Sequence, residues 1–508
     1  MESVETCDDN FPVNPLPRSG ISDYIWSFFA VIIIIAIFVI QEPAKLTHWM
    51  LLPLALCGTI VGADAIRWLT GKYAMFDPKG VIGLYGINFF LIAPLLIVVY
   101  GREGVETYVI TNWPPLLGLM AIFNLVGLVL YKIFEKIAFN RPSKVERTYW
   151  SLNAGKATLY VPIFLIIAFL SLFTYVIRSG GWGAMLLQER QGELTTLSNL
   201  RGFGVVMILR DALPMATLIL LTVFRMTGFY QQKSRTWLFV TVFILILFFI
   251  TSGLRGSRAA TGLGLICAGA ILHYFWQRLT VKMVVLSLIP LYLFFYIYGF
   301  YKSAGIIGIR ELMRGQATIE SLQYETKRTF VGMLIGDLSR APVQAAELDV
   351  LVYNKPWPYR YRYGITYLEA SVYLVPRQIW PSKPIDTSRI VAGTEMLYGP
   401  GTYGELYYGG SKSSQLYGLA GEAMLNFGLF GIPVAFAVWG FIVGKIRKRV
   451  YSYRAGDMRL FTSGFWMLIG FVILATDTDQ FVWFFTSLYI IPATLVYLIS
   501  DKVTIDMN

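Results

Sequence analysis

The sequence predicts an all-α polytopic membrane protein with about twelve transmembrane helices. The chain of 508 residues is 56% hydrophobic and only 15% charged. Its mean hydropathy is +0.58. Apolar runs of about 18 or more residues recur along it, each long enough to cross roughly 30 Å of hydrocarbon. The connections between runs alternate between cation-rich and cation-poor, as positive-inside sorting requires.

The candidate spans lie near 23–40, 48–65, 83–100, 114–133, 158–176, 205–224, 237–253, 259–275, 282–300, 422–444, 460–476 and 482–500. The densest basic connections are KIFEKIAFNRPSKVER, RMTGFYQQKSR and KIRKRVYSYRAGDMR, which follow spans four, six and ten. The alternate short connections QEPAKL and TDTDQ are poor in cations. This pattern predicts that both termini are cytoplasmic. The first apolar run follows a polar, slightly acidic stretch without a basic n-region, so no cleavable signal is expected. No internal repeat stands out, which weighs against an inverted-repeat transporter.

A net charge of +12 would suggest nucleic acid in a soluble protein. Here the surplus is topological, and no nucleic-acid partner is expected. Cys7, Cys57 and Cys267 are scattered, which predicts neither a disulfide framework nor a metal cluster. No HExxH, zinc-ligand cluster, Walker loop or Ser/His/Asp set is present, and no cofactor is expected.

One connection is unlike the rest. Residues 302–413, between spans nine and ten, divide the chain into an N-terminal bundle (1–301), an extracytoplasmic loop with short helices (302–413) and C-terminal spans (414–508). Loops of this length are functional or disordered. Its many aromatics and short apolar stretches predict an ordered cap, with an amphipathic helix at the interface near 363–375.

Several constellations could carry chemistry. The turn GLRGSR (253–258) holds Arg255 and Arg258 at the outer surface, where glycines permit close approach and the next helix presents free N–H groups to an anion. The alternative is a pair of snorkelling arginines on lipid phosphates. In VPRQIWPSKPID (375–386) the prolines stiffen a backbone that carries Arg377, Lys383 and Trp380. Arg389 follows, with Asp386 and Glu395 as proton acceptors. GDLSRAP places Asp337 and Arg340 in the same loop; charges that pair with one another are the competing account. The tyrosines of PWPYRYRYG, with Tyr398, Tyr403, Tyr407 and Tyr408, resemble a sugar-stacking surface or an interfacial aromatic belt. Arg210 and Asp211 lie at membrane depth. As helix neighbours they are expected to point apart, each to its own partner, in a structural or a functional role.

The turn GLRGSR, the loop sequence PRQIWPSKP and the entry GLAGEAMLNFGLFG into span ten together resemble the Wzy-type O-antigen polymerases over roughly residues 250–440. That resemblance implies a GT-C-like fold in the bacterial inner membrane. It implies a glycosyltransferase that polymerises undecaprenyl-diphosphate-linked repeat units on the periplasmic side without a metal. Its partners would be the lipid-linked donor and acceptor glycans, membrane lipids and a chain-length regulator protein. Arg258 matches the family's turn arginine, and Arg340, Arg377 and Lys383 its loop cations, with Arg255 and Arg389 as further diphosphate contacts. Glu395 and Glu422 are the carboxylates proposed for catalysis, and Trp380 and Tyr398 the sugar contacts. O-antigen ligases are similar but use a loop histidine, and 302–413 contains none. Metal-using GT-C enzymes carry acids in the first outward loop, which here offers only Glu42. A transporter or flippase of lipid-linked saccharides is the alternative from another class.

Overall fold

A computed structural model describes residues 20–101, 112–141, 148–183, 204–228, 236–253, 257–326, 329–353, 359–372, 379–382, 388–402 and 415–504, with Asn14, Pro17, Ile110, Leu374 and Val375. The side chains of Arg258, 302–307, 309, 325–326 and 388 lie outside that description.

The membrane helices appear where the apolar runs predict them. They are α1 (Ile21–Gln41), α2 (Leu51–Leu69), α3 (Pro78–Tyr100), α4 (Trp113–Asn140), α5 (Ala154–Arg178), α6 (Gly204–Met226) and α7 (Thr236–Gly253). The shorter apolar helix α8 (Ala259–Phe275) follows. Next comes α9 (Val281–Met313), whose crossing part is Val281–Tyr301. It therefore continues as helix past residue 301 into the long connection. That connection contributes α10 (Ala341–Tyr353), α11 (Ile365–Val372) and α12 (Ser388–Tyr398). The last spans are α13 (Gly418–Ser452), α14 (Met458–Ala475) and α15 (Thr478–Leu498). Eleven of these helices are long and apolar enough to cross a membrane.

Two short strands that hydropathy does not signal, β1 (Thr148–Leu152) and β2 (Ser500–Thr504), pair antiparallel with Thr148 opposite Thr504. Their pairing puts the basic connection after α4 and the C-terminal strand on one face, as the eight apolar membrane helices between them (α5–α9 and α13–α15) require. We call this the basic face, and the opposite side, which carries 302–413, the loop face.

The spans bury small and polar residues and leave apolar ones outside. In α1 the buried stripe is Asp23, Ser27, Val31 and Ile35 at i+4 spacing, while Ile25, Phe29, Ile33 and Ile37 are exposed. Lipid-facing surface is as apolar as a core, so close contact between spans relies on small residues. Gly440 and Gly444 of α13 lie against the carbonyls of Tyr131 and Glu135 of α4, where any Cβ would collide with backbone. Among the described residues two large apolar cores result, with two small clusters beside them. One joins α1–α4, α10, α12 and α13; the other joins α5–α8, α14 and α15.

A buried ionic layer closes the basic face of the first core. Arg447 holds both oxygens of Asp77 (Nε–Oδ1 and Nη2–Oδ2, each 2.8 Å) and pairs with Glu135. Lys79 reaches Glu135 at 3.2 Å. Arg67 donates to Asp23 at 3.0 Å, and Lys132 pairs with Asp64. These groups have partners within the layer, so charges near the ends of five spans become a structural clasp.

Arg210 corrects one expectation. It donates to its own neighbour Asp211 (Nη2–Oδ1 2.6 Å, Nε–Oδ1 3.0 Å) and stacks 4.0 Å from the Tyr175 ring centroid. Both residues lie in the helical stretch Gly204–Asp211, and the long guanidinium arm folds back along the helix to reach its neighbour's carboxylate.

Candidate functional site

On the loop face a polar layer forms where the long connection docks on the ends of α13, α14 and α15. It begins with Arg340, Gln344 and Glu347, spaced i, i+4, i+7 along the start of α10 and therefore on one helix face. That face meets Tyr417, Gly418 and Gly421. Gln344 Nε2 donates to the Tyr417 carbonyl at 2.9 Å. Gly418 has φ +69°, a conformation that favours glycine, and a Cβ there would fall 2.7 Å from the Leu474 carbonyl.

Arg340 is buried, yet among the described residues it pairs with no carboxylate. Its donors go to backbone carbonyls: Nε to Ala475 at 2.8 Å, and Nη1 to Ser339, Gly336 and Asp337 at 2.7, 3.0 and 3.3 Å. Carbonyl dipoles hold the guanidinium in place without neutralising it.

Four carboxyl groups share this layer: Asp477, Asp479, Glu422 and Glu347. Asp477, in the short turn between α14 and α15, accepts the backbone N–H groups of Tyr417 (2.9 Å) and Gly418 (2.7 Å). Its other oxygen lies 2.6 Å from Arg389 Nη1, and Arg389 Nη2 donates to Asp479 at 2.8 Å. Burial pushes the Asp477 carboxyl up, opposed chiefly by Arg389. Burial also works against the Arg389 charge, but Asp477 and Asp479 outweigh it and raise its pKa. Glu422 accepts three donors: Thr478 N–H (2.7 Å), Thr478 Oγ1–H (2.8 Å) and Thr366 Oγ1–H (2.8 Å). Asn426 Nδ2 donates to Thr366 Oγ1 at 2.7 Å, which directs the Thr366 proton toward Glu422.

Glu347 is the exception. The residue is fully buried and, among the described residues, neither carboxyl oxygen has a hydrogen-bond partner. Burial first, then the charges of Asp477 and Glu422, raise its pKa well above the ordinary range.

The residues singled out in the sequence are distributed unevenly. Arg340, Arg389 and Glu422 come together in this layer, with Arg389 engaged by two acids. Glu395 is half-buried and pairs with Arg362 at 3.0 Å. Tyr398 packs on the first core, and Trp380 is exposed at the loop surface. Arg255, Arg377 and Lys383 lie outside the described residues, as does the Arg258 side chain; the Arg258 backbone opens α8. Sequence reading missed Glu347, Asp477 and Asp479. The two aspartates were visible as the acids of TDTDQ, and Glu347 as the one glutamate of the apolar run APVQAAELDVLVY.

Comparison with known protein families, with curated proteins and with solved structures finds no match to this chain. Fold and hydropathy define its class: a multi-pass integral membrane protein of α-helices.

Proposed function

We propose that this protein is a polysaccharide polymerase of the bacterial inner membrane. It transfers a growing glycan from undecaprenyl diphosphate to a new lipid-linked repeat unit, with the loop face toward the periplasm. The observation that carries this reading is Arg340, a buried guanidinium with no carboxylate partner among the described residues, held where the long connection docks on the end of α14. A lipid diphosphate leaving at the bilayer surface develops negative charge, and a preorganised arginine stabilises that charge without requiring a metal. Arg255, Arg258, Arg377 and Lys383, the cations singled out in the sequence, are further candidates for contact with the diphosphate. Of the two carboxylates proposed from sequence, Glu422 is the better placed to act on the acceptor hydroxyl, because it shares the layer with Arg340 while Glu395 is paired with Arg362. As the new glycosidic bond forms, the anomeric C–O bond to phosphate breaks and its electron pair leaves with the diphosphate.

A second reading, a transporter of lipid-linked saccharides, draws on the buried Arg210–Asp211 pair. Chain-length ladders from cells carrying Arg340→Ala or Arg377→Ala test the first reading. Loss of polymer with the protein still inserted supports it, and normal ladders from both variants sink it. Movement of repeat units across vesicles without bond formation would establish the transporter.

A further inference from the structure

The loop-face layer gathers more negative charge than its cations balance. Glu347, Glu422, Asp477 and Asp479 stand against Arg340 and Arg389, so full ionisation would leave a net charge of −2 in a largely buried site. Two of the acids are well supplied with donors: Glu422 with three, and Asp477 with two backbone N–H groups and Arg389. Such donors favour the ionised form. Glu347 has none, and its Oε2 lies 2.6 Å from the ideal Cβ position of Gly421, next in sequence to Glu422.

The surroundings offer it no other compensation. α10 packs against α3, α4, α12, α13 and the turn before Arg340. From α12 come Arg389, committed to Asp477 and Asp479, and Glu395, paired with Arg362. From α13 and its approach come Glu422 and Tyr417. The preceding turn brings Asp337 and Arg340, and α10 itself carries Asp349. The charged groups of α4, Lys132, Glu135 and Lys136, lie toward its opposite end, where Lys132 and Glu135 belong to the ionic layer of the basic face. A buried carboxylate without a donor or a cation is costly, whereas a neutral carboxylic acid is tolerated for about 1–3 kcal/mol of unmade hydrogen bonding.

We propose that Glu347 is a proton-binding site: it rests as a neutral acid in the buried layer and gives up its proton only when the pH rises far above the ordinary glutamate range. Its O–H bond then breaks and the proton passes to loop-face water, leaving a carboxylate with no donor to hold it; as the pH falls the carboxylate takes a proton back from water. The site stands on the buried layer and depends on neither the transferase nor the transport reading.

Infrared spectroscopy of the full chain in nanodiscs reads the proton directly, with no substrate present. A protonated-carboxyl C=O band is expected at neutral pH, lost in Glu347→Gln, shifted in Glu347→Asp and unchanged in Glu395→Gln. In the wild type it should persist well above the ordinary glutamate range and disappear only at alkaline pH. A folded wild type with no such band at neutral pH overturns the proposal. So does a band that neither Glu347 variant alters, and should the Gln variant fail to fold, the Asp variant and the wild-type titration decide. Polymerase activity plays no part in the readout, so its absence would not affect this result.

Discussion

The Glu347 carboxyl lies against the backbone of Gly421, with Oε2 2.6 Å from where a Cβ on that glycine would sit. A methyl group there must displace an acid that is already fully buried. Gly421→Ala should therefore destabilise the protein by about 1–3 kcal/mol, read as a lower midpoint of thermal unfolding in detergent. An unchanged midpoint would show that the carboxyl has room to move.

The same acid sets a pH dependence whose sign is fixed. Its folded-state pKa lies above the ordinary value of 4.5, so the native protein binds more protons than the unfolded chain between the two values. Stability then falls as pH rises through that window, by up to about 1.4 kcal/mol per pH unit. Unfolding midpoints measured from about pH 5 to about pH 8 should decline more steeply in the wild type than in Glu347→Gln. Parallel profiles would contradict the assignment.

Arg389 is predicted to be structural before it is anything else. Replacing it with Met leaves Asp477 buried beside Glu422 and Glu347 without its cation. Losing one member of a buried pair costs about 3–5 kcal/mol. Arg389→Met should thus unfold at markedly lower temperature than Arg362→Met, whose partner Glu395 is half-exposed. Equal midpoints would mean that Arg389 is available to a ligand.

The spans and their alternation were legible because both are properties of composition along the chain. Hydropathy located the membrane helices of the described residues, including α8, and the span count it gives agrees with the β1–β2 pairing in bringing the segment after α4 and the C-terminal strand to one side. The site was legible only in pieces. Arg340, Arg389 and Glu422 were singled out by residue type, but nothing local joins Glu347 to Gly421 or Asp477 to Arg389, which meet across 74 and 88 residues of chain. The basic-face clasp was missed for a related reason. Asp23, Asp64, Asp77 and Glu135 each read as an ordinary acid near a helix end, and only packing brings them to Arg67, Lys132 and Arg447. Arg210 shows the limit of helix-face reasoning, because a long guanidinium arm reaches the carboxylate next to it in sequence.

Helix α11 is two-faced in a way that bears on the membrane. Thr366 and Ala370 are buried over Glu422, while Ile365 and Leu368 are exposed, and Tyr367 stacks on Phe427 at 6.4 Å. Phe430, Val434 and Val438 continue the exposed apolar surface down α13. This arrangement is that of an interfacial helix. A spin label at Leu368→Cys in nanodiscs should collide more with oxygen than with a water-soluble nickel complex, and the reverse order would place the helix in water.

The most direct test joins the chemistry to Arg340. The purified protein is reconstituted in vesicles with lipid-diphosphate repeat units extracted from its own source membranes, in EDTA, and products are read by gel ladder and mass spectrometry. The account predicts a ladder of joined repeats that Arg340→Ala abolishes. Repeat units that stay single, or that cross the bilayer without being joined, would contradict it.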